Sequence, residues 1–443
     1  MNIKNSIKVV KFGGSSLADA EHFKQVAAII GEDGSRKYVV PSAPGKRSAD
    51  DIKVTDMLYE CYEKAAAGES IDELFEKIIE RYELIIKGLS LDLDLTEEYL
   101  IIKHSIRLHA GRDFAASRGE YLNGIILSKL LGIDFIDSAR VIKFSDNGSF
   151  DAETTNAILG EVLKNHERAV IPGFYGSMPN GTIRTFSRGG SDITGSIVAR
   201  AAGASLYENW TDVSGFLMAD PRIVKDPRVI NMITYRELRE LSYMGATVLH
   251  EDAIFPVRFA GIPINIRNTN DPSAPGTMIV PTCDTYDPDT VITGIAGKKG
   301  LSVLTIEKDM MNSELGFGRK VLEVIEHAGV SFEHLPSGID TMSVVLSTEA
   351  IKNCRRKLLD DISLAVEPDS IAIEDGLALI AVVGRGMVKY KGTAARVFSA
   401  ATKAGINIKM IDQGSSELNI IIGVDESDFA GALSAIYSEF VRS

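Results

Sequence analysis

Lys11-Phe12-Gly13-Gly14-Ser15-Ser16 follows directly on the strand-like run Ile7-Lys8-Val9-Val10, so a lysine stands at the mouth of a glycine turn. Residues of these types can close on a phosphate. Glycines without Cβ let backbone N–H groups approach an anion, a helix N-terminus adds positive potential, and lysine supplies a full charge. The order is not that of a P-loop, whose lysine follows the second of two glycines separated by four residues. Taken alone, the hexapeptide is either a phosphate cradle or an ordinary strand-turn junction with an incidental lysine.

Two further segments carry similar chemistry. Ser187-Arg188-Gly189-Gly190-Ser191-Asp192-Ile193-Thr194-Gly195 places a guanidinium, a glycine turn, a hydroxyl and a carboxylate ahead of the helical stretch Ser196 to Ala202. A helix N-terminus attracts anions, although Asp192 could equally cap the helix. Glu208-Asn209-Trp210-Thr211-Asp212-Val213-Ser214-Gly215 ends a strand, and Asp220-Pro221-Arg222 follows in a turn. Its Asp, Thr and Gly residues also have an ordinary turn explanation. Three loops at strand ends, each with its own cation (Lys11, Arg188, Arg222), converge on an anionic ligand, and open α/β sheets bind ligands at those ends.

The elements that must position these loops are legible in outline. Ile7-Lys8-Val9-Val10, Tyr38-Val39-Val40, Ala169-Val170-Ile171 and Pro263-Ile264-Asn265-Ile266 alternate with helical patterns, which predicts a mostly parallel sheet covered by helices. Between Asp51 and Leu131 the apolar spacing is helical, a long excursion expected to form one wall of a cleft. Pro272, Pro275, Pro281 and Pro288 mark a linker.

Beyond the linker the chain repeats itself. Gly300-Leu301, Met311, Gly316, Val321, Ala328-Gly329 and Gly338 recur at one constant offset as Gly376-Leu377, Met387, Gly392, Val397, Ala404-Gly405 and Gly414. Ser343-Val344-Val345-Leu346 likewise falls on Asn419-Ile420-Ile421-Ile422. Each copy reads as strand, loop, helix, strand, turn, strand, with a helix to follow, a ferredoxin-like βαββαβ pattern. The pair is either purely structural or a set of small-molecule-sensing modules.

Composition narrows the function classes. With 443 residues and 45% hydrophobic content, the chain is long enough for about two to four domains. A net charge of -13 argues against nucleic acid or an anionic membrane as a partner, so any anionic ligand must be held by a few local cations. Cys61, Cys283 and Cys354 fit neither a disulfide framework nor metal-ligand spacing. With no signal-like N-terminus and only a short apolar stretch from Leu377 to Val383, the expected location is the cytoplasm.

Taken together, Lys11 to Ser16, Arg118-Gly119-Glu120, Ser187 to Thr194, Trp210-Thr211-Asp212 with Asp220-Pro221-Arg222, and Met244-Gly245-Ala246 with Val248-Leu249-His250 resemble the motif series of aspartate kinases. The tandem repeat resembles the ACT pair these enzymes carry. The resemblance implies an α/β fold: a carbamate-kinase-like amino-acid kinase, a three-layer αβα sandwich, over residues 1–285, then ferredoxin-like ACT domains at 293–368 and 369–443. The implied reaction is ATP-dependent, Mg2+-assisted phosphorylation of the β-carboxylate of L-aspartate to 4-phospho-L-aspartate, on the route to lysine, threonine and methionine. A carboxylate is already ionised at neutral pH, so no general base is needed, which fits a chain with only 7 histidines and no His-centred constellation.

By the same resemblance, Lys11 contacts the transferring phosphoryl group and Asp192 organises the cationic side chains, as the catalytic pair. Gly13, Gly14 and Ser15 cradle phosphate, and Thr211, Asp212 and Arg222 serve the nucleotide. Arg188 grips the substrate's α-carboxylate, Glu120 its ammonium, and Thr55 or Ser42 its β-carboxylate, with Ser191 beside them. Arg118 and Glu120 have a plainer reading as a solvated helix pair. No residue is assigned as a metal ligand. In the repeat, Met311, Asn312, Gly316, Phe317, Ser337 and Asp340 match effector positions, and Glu333 is placed to hold an effector ammonium. Lysine is the expected inhibitor, threonine the alternative, and association as a homodimer or dimer of dimers through the ACT pair is expected. Two positions depart from the family pattern: Thr247 stands where a nucleotide-approaching lysine is common, and Leu217 where a tyrosine is common.

Overall fold

The computed structural model describes residues 6–187, 189–246, 254–283 and 291–441. Thr247, Val248, Leu249, His250, Pro288 and Arg188 lie outside the described residues. Packing divides the chain into two compact units. The first comprises residues 1–216, 229–235 and 247–283, and the second residues 217–228, 236–246 and 284–443.

In the first unit the β-branched runs pair as a sheet. β1 (Lys8–Phe12) lies between β2 (Arg36–Pro41) and β7 (Leu206–Thr211), parallel to both. Outside β2 come β4 (Ala169–Val170) and β3 (Asp134–Phe135), also parallel. Beyond β7 lie β9 (Ile264–Asn268), the antiparallel β10 (Thr277–Val280), and β8 (Met232–Thr234). A separate hairpin joins β5 (Tyr175–Ser177) to β6 (Ile183–Thr185). The chain builds outward on one side of β1 and then returns to its other side, so the topological switch point falls between β1 and β7, where a ligand crevice is expected.

Helices cover both faces. The predicted excursion is α2 (Val54–Ala66), α3 (Asp72–Gly88), α4 (Thr96–Arg107) and α5 (Arg112–Leu131), and α1 (Ala20–Glu32) with Val10, Phe12, Val39, Val170 and Trp210 joins their apolar faces in one core. Short α6 (Ser138–Val141) leads to α7 (Ala152–Lys164), which packs with α8 (Gly190–Ala201). α8 lies against β1, β2 and β7, and α10 (Phe255–Ala260) flanks it. Strand alternation therefore directs Val10, Phe12 and Trp210 to the α1–α5 layer and Lys11, Tyr207 and Asn209 toward α8.

The second unit has one six-stranded sheet in the order β12-β13-β11-β14-β16-β15. Its strands are β11 (Gly294–Glu307), β12 (Phe332–His334), β13 (Thr341–Ser347), β14 (Ser370–Val383), β15 (Met410–Asp412) and β16 (Asn419–Asp425). The repeat halves contribute α11 (Phe317–His327), α12 (Thr348–Ile351) and α13 (Arg355–Val366), then α14 (Thr393–Lys403) and α15 (Phe429–Phe440). The helix expected to follow the first copy's last strand is broken at residues 352–354 and runs on to Val366.

The copies share their inner strands. Leu301 to Glu307 of β11 pairs with β13 and with Ser370 to Leu377 of β14, while Gly294 to Lys298 pairs with Leu379 to Val383, which in turn pairs with β16. β14 thus opens the second copy and closes the first.

This unit also takes in two excursions of the segment expected to be catalytic. Met218 accepts a backbone hydrogen bond from Ile295 (2.7 Å). α9 (Tyr235–Tyr243) carries a fully buried Glu237 that binds Arg385 at 3.0 Å and accepts from Thr293 Oγ1 at 2.5 Å.

Glu208, at 1% exposure, lies on the α1–α5 face of β7, bound by Arg36 Nε (2.8 Å) and Trp210 Nε1 (2.9 Å). It is a stability residue on the face away from Lys11. Removing one partner of a buried pair strands the other charge. Glu208→Ala should therefore cost about 3–5 kcal/mol, read as a lowered urea midpoint.

Candidate active site

Lys11 stands one residue before the end of β1 at 7% exposure, and a buried ammonium requires a counter-charge. Asp192 supplies it, with Lys11 Nζ 2.6 Å from Asp192 Oδ1. Asn209 Nδ2 donates to the same carboxylate oxygen at 2.9 Å, and Asn209 Oδ1 lies 3.5 Å from Lys11 Nζ. Tyr207 Oη donates to the Asp192 backbone carbonyl at 3.1 Å. A Cβ on Gly195 would stand 2.4 Å from that hydroxyl, so the ring reaches the helix only because residue 195 has no side chain.

α8 begins at Gly190, earlier than the expected Ser196, with Gly189 as its N-cap in the left-handed region (φ +70°). Asp192 consequently sits in the first turn, where a carboxylate is favoured by the helix dipole, while its side chain binds Lys11 instead of capping a backbone N–H.

The loops beyond β1, β2 and β4 are tied into one rim. The Ser42 amide donates to Phe12 O at 3.0 Å, and the Gly45 amide to Gly14 O at 2.8 Å. A Cβ on Gly45 would lie 2.5 Å from the Gly14 carbonyl carbon, so the two loops touch backbone to backbone. Arg81 of α3 holds both from behind, donating to Gly45 O (2.6 Å) and Ala18 O (3.1 Å). The Gly173 amide donates to Pro41 O at 3.0 Å, and Ser191 of α8 fills the space where a Gly173 side chain would be. Phe174 N–H donates to Thr194 Oγ1 at 3.0 Å. Gly13 and Gly14 are half-buried in this rim and Ser15 is exposed.

Glu120 faces the β2 loop from α5. It is 5% exposed, its Oε2 has no hydrogen-bond partner, and desolvation raises its pKa from 4.5 to about 8, against smaller opposing effects of the Ala43 amide and Arg118. Gly119 packs on Ala43, and Asn123 Nδ2 donates to Ser42 O at 2.7 Å, so α5 supports the loop it faces. Arg118 and Glu120 are not a solvated pair. The Arg118 guanidinium is buried among Phe114, Tyr121 and Tyr175, 4.7, 4.6 and 5.2 Å from their ring centroids.

Of the remaining candidates, Ser42 and Thr55 are half-buried, at the ends of β2 and at the start of α2, and Ser191 is buried beside Asp192. Thr211 and exposed Asp212 close β7, with Thr211 Oγ1 donating to Asp212 at 3.2 Å. Arg222 belongs to the second unit, where its 87% exposed side chain pairs with Asp220 at 2.6 Å. Asn209, Gly45, Arg81 and Gly173 were missed by sequence reasoning. Only Pro44-Gly45 carried a local signal, as a turn dipeptide after a strand.

In the second unit the loop carrying Met311 and Asn312 is zipped to that carrying Ser337 and Asp340. Asn312 N–H donates to Ile339 O at 3.1 Å, Lys308 N–H to Asp340 O at 2.9 Å, and Met310 N–H to Asp340 Oδ1 at 3.0 Å. Gly316 (φ +80°) caps α11, whose first residue, Phe317, is buried with Met311 in the lobe core. Glu333 stands apart from these loops on β12, already bound by Lys298 Nζ and Tyr243 Oη.

Residues 6–268 match the Amino acid kinase family and residues 380–440 an ACT domain. The chain is 40% identical to Aspartokinase 3 of Bacillus subtilis (strain 168), over 98% of each. It superposes on Clostridium acetobutylicum aspartate kinase with a TM-score of 0.92 at 52% identity, covering 98% of this chain and 100% of that one. E. coli aspartokinase III is similar in complex with lysine and aspartate in the T-state (TM-score 0.75, 26% identity, 98% and 100% covered) and with aspartate and ADP in the R-state (0.72, 25%, 98% and 99%). Fold and site thus define an amino-acid kinase with an ACT appendage. The chain belongs to the aspartokinase family.

Glu120 is the position most exposed to test. Ionising it inside the fold is unfavourable, so its contribution to stability is full below pH 4.5 and is lost as pH rises through about 8. Glu120→Gln should therefore gain stability relative to wild type across that interval, by on the order of 4 kcal/mol, beyond any pH-independent offset from the buried amide. Urea unfolding from pH 5 to pH 9 checks the slope.

Proposed function

We propose that the cleft at the ends of β1, β2, β4 and β7 transfers the γ-phosphoryl group of ATP to the β-carboxylate of L-aspartate. The observation that carries this reading is a buried lysine beside a two-glycine turn, held by one carboxylate at the switch point of a parallel sheet. A carboxylate oxygen attacks the γ-phosphorus, the bond to the β,γ-bridging oxygen breaks, and 4-phospho-L-aspartate and ADP leave. No proton moves, so the site needs positioning and charge neutralisation rather than a base.

Lys11 turns from Asp192 toward the transferring phosphoryl group, and the amides of Gly13, Gly14 and Ser15 follow the phosphate oxygens. Thr211, Asp212 and Arg222 serve the nucleotide. Ser42 and Thr55 orient the β-carboxylate, Ser191 lies beside them, and Arg188 takes the α-carboxylate as a bidentate fork. Mg2+ arrives with ATP, since it commonly binds through substrate phosphates with one or two carboxylates.

Glu120 receives the substrate ammonium. Its unpartnered oxygen and raised pKa mean that the free enzyme holds it protonated at pH 7, whereas an ammonium partner favours the carboxylate. Aspartate binding at pH 7 should then release about one proton, seen by calorimetry in buffers of different ionisation enthalpy, and Glu120→Gln should abolish the release.

Catalysis is assigned to residues 1–285 and regulation to 293–368 and 369–443, with lysine as the feedback inhibitor and threonine as the alternative. Support comes from the likeness to the lysine-bound E. coli enzyme and from the adjoining loops at Asn312, Ser337 and Asp340. Met310, Leu315 and Ile339 are exposed on and beside those loops, as suits association of two copies through this lobe. Glu333 already holds Lys298 and Tyr243 through Oε2, so an effector ammonium there shares the carboxylate with Lys298 or displaces it.

The decisive assay is ATP-dependent hydroxamate formation from L-aspartate, repeated with added lysine and threonine. Activity is expected, and Lys11→Met should lower kcat at least about a hundredfold. An inactive wild-type enzyme would overturn the kinase reading, and indifference to both amino acids the regulatory one.

A further inference from the structure

Asn209 has no role in the reaction as written above, yet its side chain touches both members of the Lys11–Asp192 pair. Lys11 and Asn209 are Cα partners in the parallel β1–β7 ladder, so their side chains leave the sheet side by side on the face covered by α8. Asn209 is 4% exposed, which leaves water no ready way to replace the bonds it makes.

The orientation of its amide is set by charge. Nδ2 donates to Asp192 Oδ1 at 2.9 Å, and Oδ1 faces Lys11 Nζ at 3.5 Å. A flipped amide would set its NH2 against an ammonium and its carbonyl against a carboxylate. The contact to Lys11 is long beside the 2.6 Å ion pair, a second resting position for the ammonium rather than a tight bond.

We propose that Asn209 is a positioning residue for phosphoryl transfer, acting as a neutral bridge between the pair. It keeps the Asp192 carboxylate hydrogen-bonded when Lys11 swings to the incoming phosphate, and it keeps Lys11 within reach of its starting point. This inference rests on the kinase reading of the cleft.

Neutrality is the feature that matters. A carboxylate at 209 would set two negative charges against one ammonium and hold Lys11 back from the phosphate. An apolar side chain would remove one of the two side chains that hold the Asp192 carboxylate among the described residues, so that moving Lys11 would leave a partly buried charge less compensated. β7 strengthens the grip from two residues upstream, where Tyr207 Oη binds the Asp192 carbonyl. Among the described residues, the charged groups facing Asn209 are Lys11 from β1 and Asp192 from α8, while its neighbour Glu208 is turned to the other face and bound by Arg36.

The test compares full-length wild type, Asn209→Leu and Asn209→Asp, with kcat and both KM values measured by varying MgATP or aspartate while the other is saturating. Asn209→Leu should lower kcat about tenfold to a hundredfold while KM for aspartate stays within about twofold, because the damage falls on phosphoryl positioning. In Asn209→Asp two adjacent carboxylates share a proton, and the protonated form still donates to Asp192. The ratio of its kcat to that of wild type should therefore fall about tenfold between pH 6 and pH 9. A purely structural role would lower the melting temperature without producing that pH-dependent ratio.

Wild-type kcat in folded Asn209→Leu, or a flat ratio for Asn209→Asp, overturns the inference. Should Asn209→Leu fail to fold, the near-isosteric Asn209→Asp decides alone. An inactive wild type indicts the kinase reading, whereas an active wild type with indifferent variants indicts only Asn209.

Discussion

The structure of the first unit turns on one ion pair. An ammonium at 7% exposure is tenable only with a counter-charge in contact, and Lys11 finds it in Asp192 at 2.6 Å. Much follows from that. α8 must begin within reach of the end of β1, which places its N-cap at Gly189 and its first turn over the strand ends. β7 must come close enough to share the carboxylate through Asn209, which requires a glycine at 195 to admit the Tyr207 ring. The same pair makes the site responsive, since an anion entering at the strand ends competes with Asp192 for a cation already desolvated.

The rim extends this constraint to the remaining loops. β1 is tied to β2 through Ser42 and Phe12 and through Gly14 and Gly45; β2 is tied to the β4 loop through Pro41 and Gly173; Ser191 against Gly173 returns the chain of contacts to α8 and Asp192. Each junction is backbone against backbone or against one small side chain. At Gly14 and Gly45 an added Cβ would need atoms to pass within 3.0 Å, so glycine there is a requirement of approach rather than of flexibility. Arg81 shows how the excursion α2–α5 contributes: one guanidinium, 3% exposed, satisfies carbonyls from two loops at once.

These relations explain which parts of the site were legible in the sequence. Lys11 to Ser16 and Ser187 to Asp192 could be read because glycine, charge and a following helix act within a few residues. Glu208 and Asn209 could not be separated, because deciding which faces the ligand requires knowing that β7 lies beside β1, a pairing across 198 positions. Alternation would have put them on opposite faces, but only α8 decides which face carries the chemistry. Glu120 was recognisable by resemblance, whereas its burial was not. α5 is enclosed on several sides, with Ser117, Arg118, Glu120 and Asn123 all buried, so its sequence shows no clean apolar stripe to mark the inner face.

The repeat was visible as two copies, but their interdependence belongs to the sheet. β11 and β14 lie antiparallel along nearly their full length, and each spends one half in either lobe. A one-residue slip of either strand would reverse the inward and outward sets of both lobes together, so the lobes cannot change register independently. The strands cross from one lobe to the other where the ladder shifts between Lys298 and Leu301, beside Gly300 (φ +74°) and its repeat partner Gly376 (φ +86°). Lys299, Gly300 and Gly376 fall outside the ladder pairs, the Gly300 amide donating instead to Glu426 Oε2 at 3.2 Å, so the irregularity of the sheet is gathered at two equivalent glycines with open space around them. The conformational freedom that lets the sheet pass between lobes is thus the same property that made Gly300 and Gly376 the opening mark of the repeat.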